Sequence, residues 1–396
     1  MKKIIPYGRQ TLDEDDIEAV AASLRSERLT QGPLVWGFEQ ALADYLDVRY
    51  AVACSSGTAA LHLAYTVIGI GQGHGILTRP NTFTATANAA IFAGARPYFA
   101  DISPHTYNMD PQAVDMFFSA SSANIKAVVP VHFAGYPCDM EEIARIARKN
   151  KAVVIEDGCH ALGARWTDSK GIERHVGDCS HSLMTVFSFH PVKSITTGEG
   201  GAITTNDKAI YDMLRLLRSH GITKNPEDFL LPEHKGEPWY YEMQVLGFNY
   251  RITDIQSALG ISQLKKLDGF IEKRAGIASL YDEQFAGTDI VRTPLCQGNI
   301  RPAHHLYVVR VPFDSLSMDR SALFRFMEQK GVQLQVHYIP VHLQPYYRNR
   351  FGFKDGDFPE AEAYYRDALS LPIYPGLSMD DARLVSHLLE GFIKGC

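Results

Sequence analysis

The sequence predicts an α/β fold, with a large domain built on a mostly parallel sheet flanked by helices and a smaller C-terminal α/β domain. Three observations carry this expectation. From about residue 50 to residue 205, short apolar and β-branched runs alternate with stretches of helical spacing, the pattern of βα units feeding a parallel sheet. Around Gly247-Phe248-Asn249-Tyr250-Arg251 this gives way to a long helical stretch, after which strand and helix signals recur on a smaller scale. A chain of 396 residues with 31 glycines is also long enough for two α/β domains. The boundary is therefore placed at residue 250, with an N-terminal segment and large domain over 1–250 and a small domain over 251–396.

The elements follow in order. Arg49-Tyr50-Ala51-Val52-Ala53-Cys54 reads as a strand, and Ser55-Ser56-Gly57-Thr58 turns it into an apolar helix from Ala59 to about Ile68. Ile125-Lys126-Ala127-Val128-Val129-Pro130-Val131 reads as a second buried strand, followed by helical spacing from Asp139 to Lys149 with Ile143, Ile146 and Ala147 inward. Ala152-Val153-Val154-Ile155 is a third. These runs are continuously apolar, as strands covered on both faces are. Residues 223–239, rich in Pro, Asp, Glu and Lys, predict a mobile surface loop, and one long helix is expected from Asp254 to about Glu283.

Composition excludes several functions. With 39 Lys and Arg against 45 Asp and Glu, the formal net charge of −6 offers no basic surplus for nucleic acid or an anionic membrane. No apolar run approaches the ~20 residues that span a bilayer. Pro6, Gly8 and the polar run from Arg9 to Asp16 interrupt any signal-peptide core, so a cytoplasmic protein is expected. Cys54, Cys138, Cys159, Cys179, Cys296 and Cys396 are scattered and read as free thiols. Gly69-Ile70-Gly71-Gln72-Gly73 follows a helix rather than a strand and so lacks the context of a dinucleotide loop. The histidines, among them His181, His190, His337 and His342, show no metal-ligand spacing.

Three segments carry chemistry. Ser55-Ser56-Gly57-Thr58-Ala59-Ala60-Leu61, between a strand and a helix, lets backbone N–H groups and hydroxyls approach an anion at the positive end of the helix. An ordinary Ser/Thr cap with a Gly turn explains the same residues. Ile155-Glu156-Asp157-Gly158-Cys159-His160 puts acids at the C-terminal end of a strand, where open parallel sheets bind ligands. A carboxylate there can keep a heteroaromatic nitrogen protonated, or simply cap the next turn. His160 would lie over the same ring or bond to backbone. Finally, Val186-Phe187-Ser188-Phe189-His190-Pro191-Val192-Lys193 reads as a strand ending in a lone Lys before the glycines of Gly198-Glu199-Gly200-Gly201. A confined lysine can form a Schiff base with an aldehyde and then shuttle protons, although a surface lysine is the plain alternative.

Taken in this order, cradle, Asp and Lys are the three anchors of pyridoxal 5′-phosphate in fold type I enzymes. The sequence resembles the DegT/DnrJ/EryC1/StrS sugar aminotransferase family of that fold nearly end to end. The resemblance rests on Leu29-Thr30-Gln31-Gly32, Ser56-Gly57-Thr58-Ala59-Ala60-Leu61, Pro80-Asn81-Thr82-Phe83-Thr84-Ala85-Thr86, Glu156-Asp157, Phe187-Ser188-Phe189-His190, Glu199-Gly200-Gly201 and Gly247-Phe248-Asn249-Tyr250-Arg251. Within the family, Arg218-Ser219-His220-Gly221, Gln335-Val336-His337-Tyr338 and the segments around Asp157 and Lys193 are similar to the branch that aminates C4 of a UDP-linked 2-acetamido-2,6-dideoxy-4-hexulose of L-arabino configuration.

The resemblance implies a role for each matched position. Lys193 would carry the cofactor as a Schiff base, Asp157 would pair with its ring nitrogen, and Phe83 and His160 would sandwich the ring. Gly57, Thr58 and Ser188 would hold its phosphate, joined by Asn249 from the second subunit of a homodimer. Tyr7, the segment Glu27-Arg28-Leu29-Thr30, Gly57, Ser188, Asn249 and His337-Tyr338-Ile339-Pro340 would contact the nucleotide sugar, with L-glutamate as amino donor. Sugar dehydratases of similar sequence carry His where Lys193 stands, which favours transamination over dehydration. Keeping Asp157, Ser188 and Lys193 together argues against a non-catalytic nucleotide-sugar binder. Relatives usually carry an acidic residue near Gly73-His74-Gly75-Ile76-Leu77, and a local loop difference is expected there.

Overall fold

The apolar runs assemble into one seven-stranded sheet: β1 (Tyr50–Cys54), β2 (Gly75–Thr78), β3 (Arg96–Phe99), β4 (Ile125–Val128), β5 (Val153–Asp157), β6 (Met184–Ser188) and β7 (Gly201–Thr205). The spatial order is β1-β7-β6-β5-β4-β2-β3. The pairs β3/β2, β2/β4, β4/β5 and β5/β6 are parallel, and only β7 opposes its neighbours β6 and β1. The computed structural model describes residues 4–287, 291–293 and 298–395, the side chains of 291–293 excepted. Cys296 and Cys396 lie outside the described residues, and Cys54, Cys138, Cys159 and Cys179 are free thiols as expected.

Helices α1 (Glu14–Leu24) and α2 (Pro33–Leu46) lead in, and α3 (Gly57–Val67), α4 (Thr84–Phe92), α5 (Pro111–Ala120), α6 (Met140–Lys149) and α7 (Lys208–Arg218) alternate with the strands. Successive strand residues point to opposite faces, and the core divides accordingly. Val52, Cys54, Ile155 and Val186 pack with Leu61 of α3 and Leu214 and Leu217 of α7. Ala51, Ala53 and Phe187 pack with Phe38 and Leu42 of α2, and Val154 with Ile143 and Ile146 of α6. Both faces are covered, which is why the strands lack polar alternation. In α6 the Asp139 carboxylate caps the Glu142 N–H, acids fill the first turn and bases the last, all favourable to the helix dipole.

Several local expectations need correction. Strand β4 stops at Val128 rather than Val131, since Pro130 has no N–H to offer a ladder. The lysine-bearing strand β6 ends at Ser188, so Lys193 stands on the turn beyond it. The helix expected over 254–283 is two, α8 (Asp254–Leu264) and α9 (Leu267–Gln284). Between them Lys266 pairs with Asp13 and Asp16 at the start of α1. Residues 223–239 are anchored: Ile222–Thr223 pairs with Glu242–Met243, and the buried Glu242 carboxylate accepts the Leu230 and Leu231 N–H groups at 2.7 and 2.8 Å. The helix after β1 begins at Gly57, not Ala59, because Ser56 is the cap.

In the C-terminal part, strand Tyr307–Arg310 lies between Val291–Thr293 and Ala368–Leu371 in an antiparallel sheet. Its core joins Ile277 and Tyr281 of α9, Leu323 of α10 (Arg320–Gln329) and Val385 of the last helix, Met379–Lys394. Ile5 enters this cluster, tied by its N–H to the Gly331 carbonyl at 2.8 Å. Among the described residues no helix is long and apolar enough to cross a membrane.

Candidate active site

The C-terminal ends of the parallel strands converge on one cluster. At the end of β5, neighbouring acids point to opposite faces, and their surroundings differ accordingly. Glu156 is buried, with Oε2 2.7 Å from His132 Nε2 and Oε1 accepting from Ser182 and Thr185 hydroxyls. His132 Nδ1 accepts the Cys138 N–H at 3.0 Å, so Nε2 carries the proton and donates to Glu156. Asp157, 4% exposed, accepts from Thr86 Oγ1 of α4 at 2.8 Å through Oδ2 and from the Cys159 N–H at 3.1 Å through Oδ1. The Cys159 contact is the turn cap that the sequence offered as one reading of Asp157, and the residue stands at the strand end.

Lys193 is held on its turn by an N–H bond to the His190 carbonyl at 2.8 Å. Its Nζ lies 3.5 Å from His305 Nε2. Burial lowers the Lys193 ammonium below its ordinary value, with Cys159 and Asp157 pulling it back up. His160 is buried at the same place. Its Nε2 is 2.9 Å from the Tyr338 hydroxyl, its Nδ1 has no partner among the described residues, and its ring centroid is 4.3 Å from that of His305. Burial, with the charges of Lys193, His337 and Arg79, drives the His160 value well below that of a free histidine. Phe83 stands at the N-cap of α4 with its ring exposed and 6.0 Å from the Tyr338 ring, and the His160 ring lies 6.0 Å from the same tyrosine.

Beside these groups lies the start of α3. Ser56 Oγ takes the Ala59 N–H and the Ser56 carbonyl the Ala60 N–H, so the N–H groups of Gly57 and Thr58 are left to partners outside the helix. A Cβ on Gly57 would sit 2.8 Å from Ser188 Cβ, and one on Gly201 2.5 Å from the Ser56 backbone. Only glycine lets β6, β7 and the helix start come this close. The result is a concave group of donors at the positive end of a helix, suited to a dianion.

The substrate positions inferred from the sequence divide into two groups. Tyr7, His337 and Tyr338 join the cluster: the Tyr7 and His337 rings are 5.4 Å apart, His337 Nδ1 is 2.7 Å from Ser370 Oγ, and Tyr364 donates to the His337 carbonyl at 2.7 Å. Burial lowers His337 to about 3. Ile339 is exposed and Pro340 buried at its margin. Glu27, Arg28, Leu29 and Thr30 are exposed and belong to a segment tied to α8 by the Leu29 carbonyl, which accepts the Asp254 N–H at 2.9 Å. Glu27 and Arg28 line a cavity of about 950 Å³ between α1 and α8, whose walls include neither Lys193 nor Asp157. Asn249 is exposed, its backbone bridged to Ser219, close in sequence to the exposed Met243 and Leu246.

Two residues of the cluster escape sequence reading of its roles. Thr86 lies inside a matched segment, and its place on helix α4 could have pointed to the Asp157 contact. His305, 112 residues beyond Lys193, carries no signal of its own.

The family model of the DegT/DnrJ/EryC1/StrS aminotransferases matches residues 10–390. The chain is 38% identical over 392 residues to the spore coat polysaccharide biosynthesis protein SpsC of Bacillus subtilis, covering 99% of this chain and 97% of that one. It is 37% identical over 391 residues to the UDP-4-amino-4,6-dideoxy-N-acetyl-beta-L-altrosamine transaminase of Campylobacter jejuni, covering 99% and 98%. The solved structure of Helicobacter pylori PseC, an aminotransferase involved in the biosynthesis of pseudoaminic acid, superposes with a TM-score of 0.89 at 31% identity and covers all of both chains. The chain belongs to the DegT/DnrJ/EryC1/StrS aminotransferase family, with the fold of the pyridoxal phosphate-dependent aminotransferases, and is a sugar aminotransferase that uses this cofactor.

Proposed function

We propose that the protein transfers an amino group from L-glutamate to C4 of a UDP-linked 4-keto-6-deoxy-N-acetylhexosamine, UDP-2-acetamido-2,6-dideoxy-β-L-arabino-4-hexulose, in pseudaminic acid biosynthesis in the cytoplasm. The observation that carries this reading is the placement of a half-buried lysine, its ammonium disfavoured by desolvation, beside Asp157, His160 and the Gly57/Ser188 donor cradle. The residues fit pyridoxal phosphate: the cradle suits its phosphate, Asp157 its ring nitrogen, His160 and Phe83 its two faces, and Lys193 its aldehyde. Bound there, the cofactor supplies an electron sink that lets a C–H bond beside nitrogen ionise.

The remaining chemistry belongs to the chain. Asp157 is oriented by Thr86 and the Cys159 N–H, so its charge is fixed and can hold a heteroaromatic N–H⁺ in a poorly solvated place. With the cofactor bound, the Lys193 amine would take a proton from the carbon on one side of the reacting nitrogen and return it to the carbon on the other. Burial favours its uncharged form, which such a base requires. His160, kept neutral, can lie against an aromatic ring without adding charge. Gly57, Thr58 and Ser188 anchor the phosphate, with Asn249 reaching in from a second copy. Tyr7, residues 27–30 and residues 337–340 take the nucleotide sugar. The names of the Campylobacter and Helicobacter relatives support the UDP-sugar assignment.

The test is product configuration. The enzyme is incubated with glutamate and each of the two C5-epimeric UDP-4-keto-6-deoxy-HexNAc compounds, and the products are read by NMR. The account expects 2-oxoglutarate and a 4-amino sugar from the L-arabino ketone. Turnover of only the other epimer, or of a dTDP- or GDP-linked ketone, would replace the substrate while leaving the reaction class standing.

A further inference from the structure

The chemistry above leaves His305 without a task. The residue is 4% exposed, its Nε2 lies 3.5 Å from Lys193 Nζ, and its Nδ1 has no hydrogen-bond partner among the described residues. It stands on a turn whose preceding residue, His304, adopts left-handed backbone with φ 47°. That turn is held by Arg274 of α9, itself 1% exposed, whose Nη1 donates to the carbonyls of His304 and His305 at 3.4 Å each and of Ile373 at 2.9 Å. A fully buried arginine spent on three carbonyls fixes the imidazole where it meets the lysine.

The charges around the pair decide its protonation. Lys193 is faced by Asp157 and Cys159 from the end of β5, by His160 after it, and by His337 and His305 from the C-terminal part. His305 is faced by His160, Lys193, Arg274 and His337. Burial and these neighbours, none of them acidic, keep His305 neutral. A neutral imidazole has one donor and one acceptor nitrogen. The Lys193 nitrogen has an N–H to give whether charged or neutral, and Nε2 takes it in the tautomer that carries its hydrogen on Nδ1. Such a ring cannot store a proton; it can only direct one. Resting on the reading of Lys193 as the proton carrier, we propose that His305 is a positioning residue, a neutral acceptor whose Nε2 holds one N–H of the Lys193 amine and aims its lone pair at the reacting carbons. The amine gains and returns the proton, and His305 neither gains nor loses one. The contact is at the long end of hydrogen-bond reach, as catalytic contacts often are before the site is filled.

Two variants test this. His305→Phe keeps a ring against His160 and removes the acceptor; His305→Gln restores one. The first readout is the protonation midpoint of Lys193 in the cofactor-free protein, followed as the pH dependence of reductive methylation of its peptide by mass spectrometry. Losing an acceptor penalises the ammonium, so the midpoint falls by about one unit in His305→Phe and recovers in His305→Gln. The second is steady-state transamination, where kcat falls about 10- to 100-fold in His305→Phe with KM for glutamate nearly unchanged, and is partly restored in His305→Gln. Should His305→Phe not fold, His305→Met is read in its place. A folded variant lacking the acceptor but keeping the wild-type midpoint and kcat would overturn the proposal, as would equal impairment in His305→Gln. The midpoint is measured without cofactor or sugar, so it stands or falls separately from the assigned activity.

Discussion

Glu156 and Asp157 are adjacent carboxylates with different work, and the pleat of one strand is the cause. Glu156 turns into a closed network with His132, Ser182 and Thr185, while Asp157 turns to the other face, toward Thr86 and the Cys159 N–H. Both acids were legible as strand-end candidates; which of them is structural depends on register that only the folded sheet fixes. Asp157→Asn keeps the shape and removes the charge, so kcat for transamination should fall by about 100-fold or more. Lys193→Ala should abolish turnover while the circular dichroism spectrum and melting transition stay those of wild type, since the side chain ends in the site and supports no core. The Lys193 and Asp157 positions could be read from their segments, whereas His305 and Arg274 reach the site through the tertiary fold alone. No periodicity links residues 193, 274 and 305.

The cradle depends on two elements approaching without a side chain between them. Helix α3 starts at Gly57 because Ser56 supplies both its cap and its first carbonyl acceptor, and the start abuts Ser188. In Gly57→Ala the new Cβ meets Ser188 Cβ at 2.8 Å, and both atoms are fixed to backbone, so the helix start and strand end must separate. Cofactor affinity, read by equilibrium titration, should weaken by about tenfold or more, with a stability loss of about 1–3 kcal/mol. The strand-turn-helix unit around Gly57 and helix α6 were legible from cap residues and apolar spacing. The break between α8 and α9 was not, because it has no Pro or Gly; its residue Lys266 turns to acids on α1, some 250 positions earlier in the chain. Likewise the run at 223–239 has the composition of a loop, and the buried Glu242 that ties it down lies outside it.

For the whole molecule, buried neutral histidines link stability to pH. His160, His305 and His337 all take up protons in the folded state only well below the ordinary histidine value, His337 at about 3. Below pH 6.5 the unfolded chain therefore binds more protons than the folded one, and stability falls as pH falls. Each histidine contributes up to about 1.4 kcal/mol of loss per pH unit, so urea midpoints should drop steeply from pH 6.5 to pH 5. In the stretch of chain leading to Asn249, Leu230, Trp239, Met243 and Leu246 are 62 to 79% exposed, apolar side chains suited to the proposed second copy. For the homodimer proposed above, Leu246→Asp with Trp239→Asp should yield a folded monomer in analytical ultracentrifugation with reduced activity and cofactor retention; an unchanged oligomeric state would contradict this placement of the interface.

The central claim is that Lys193 bonds covalently to the cofactor aldehyde, and borohydride reduction of the purified holoenzyme followed by peptide mass spectrometry tests it most directly. The account predicts a reduced pyridoxyl mass on the peptide containing Lys193. A stable adduct confined to any other lysine, with Lys193 unmodified, would contradict it.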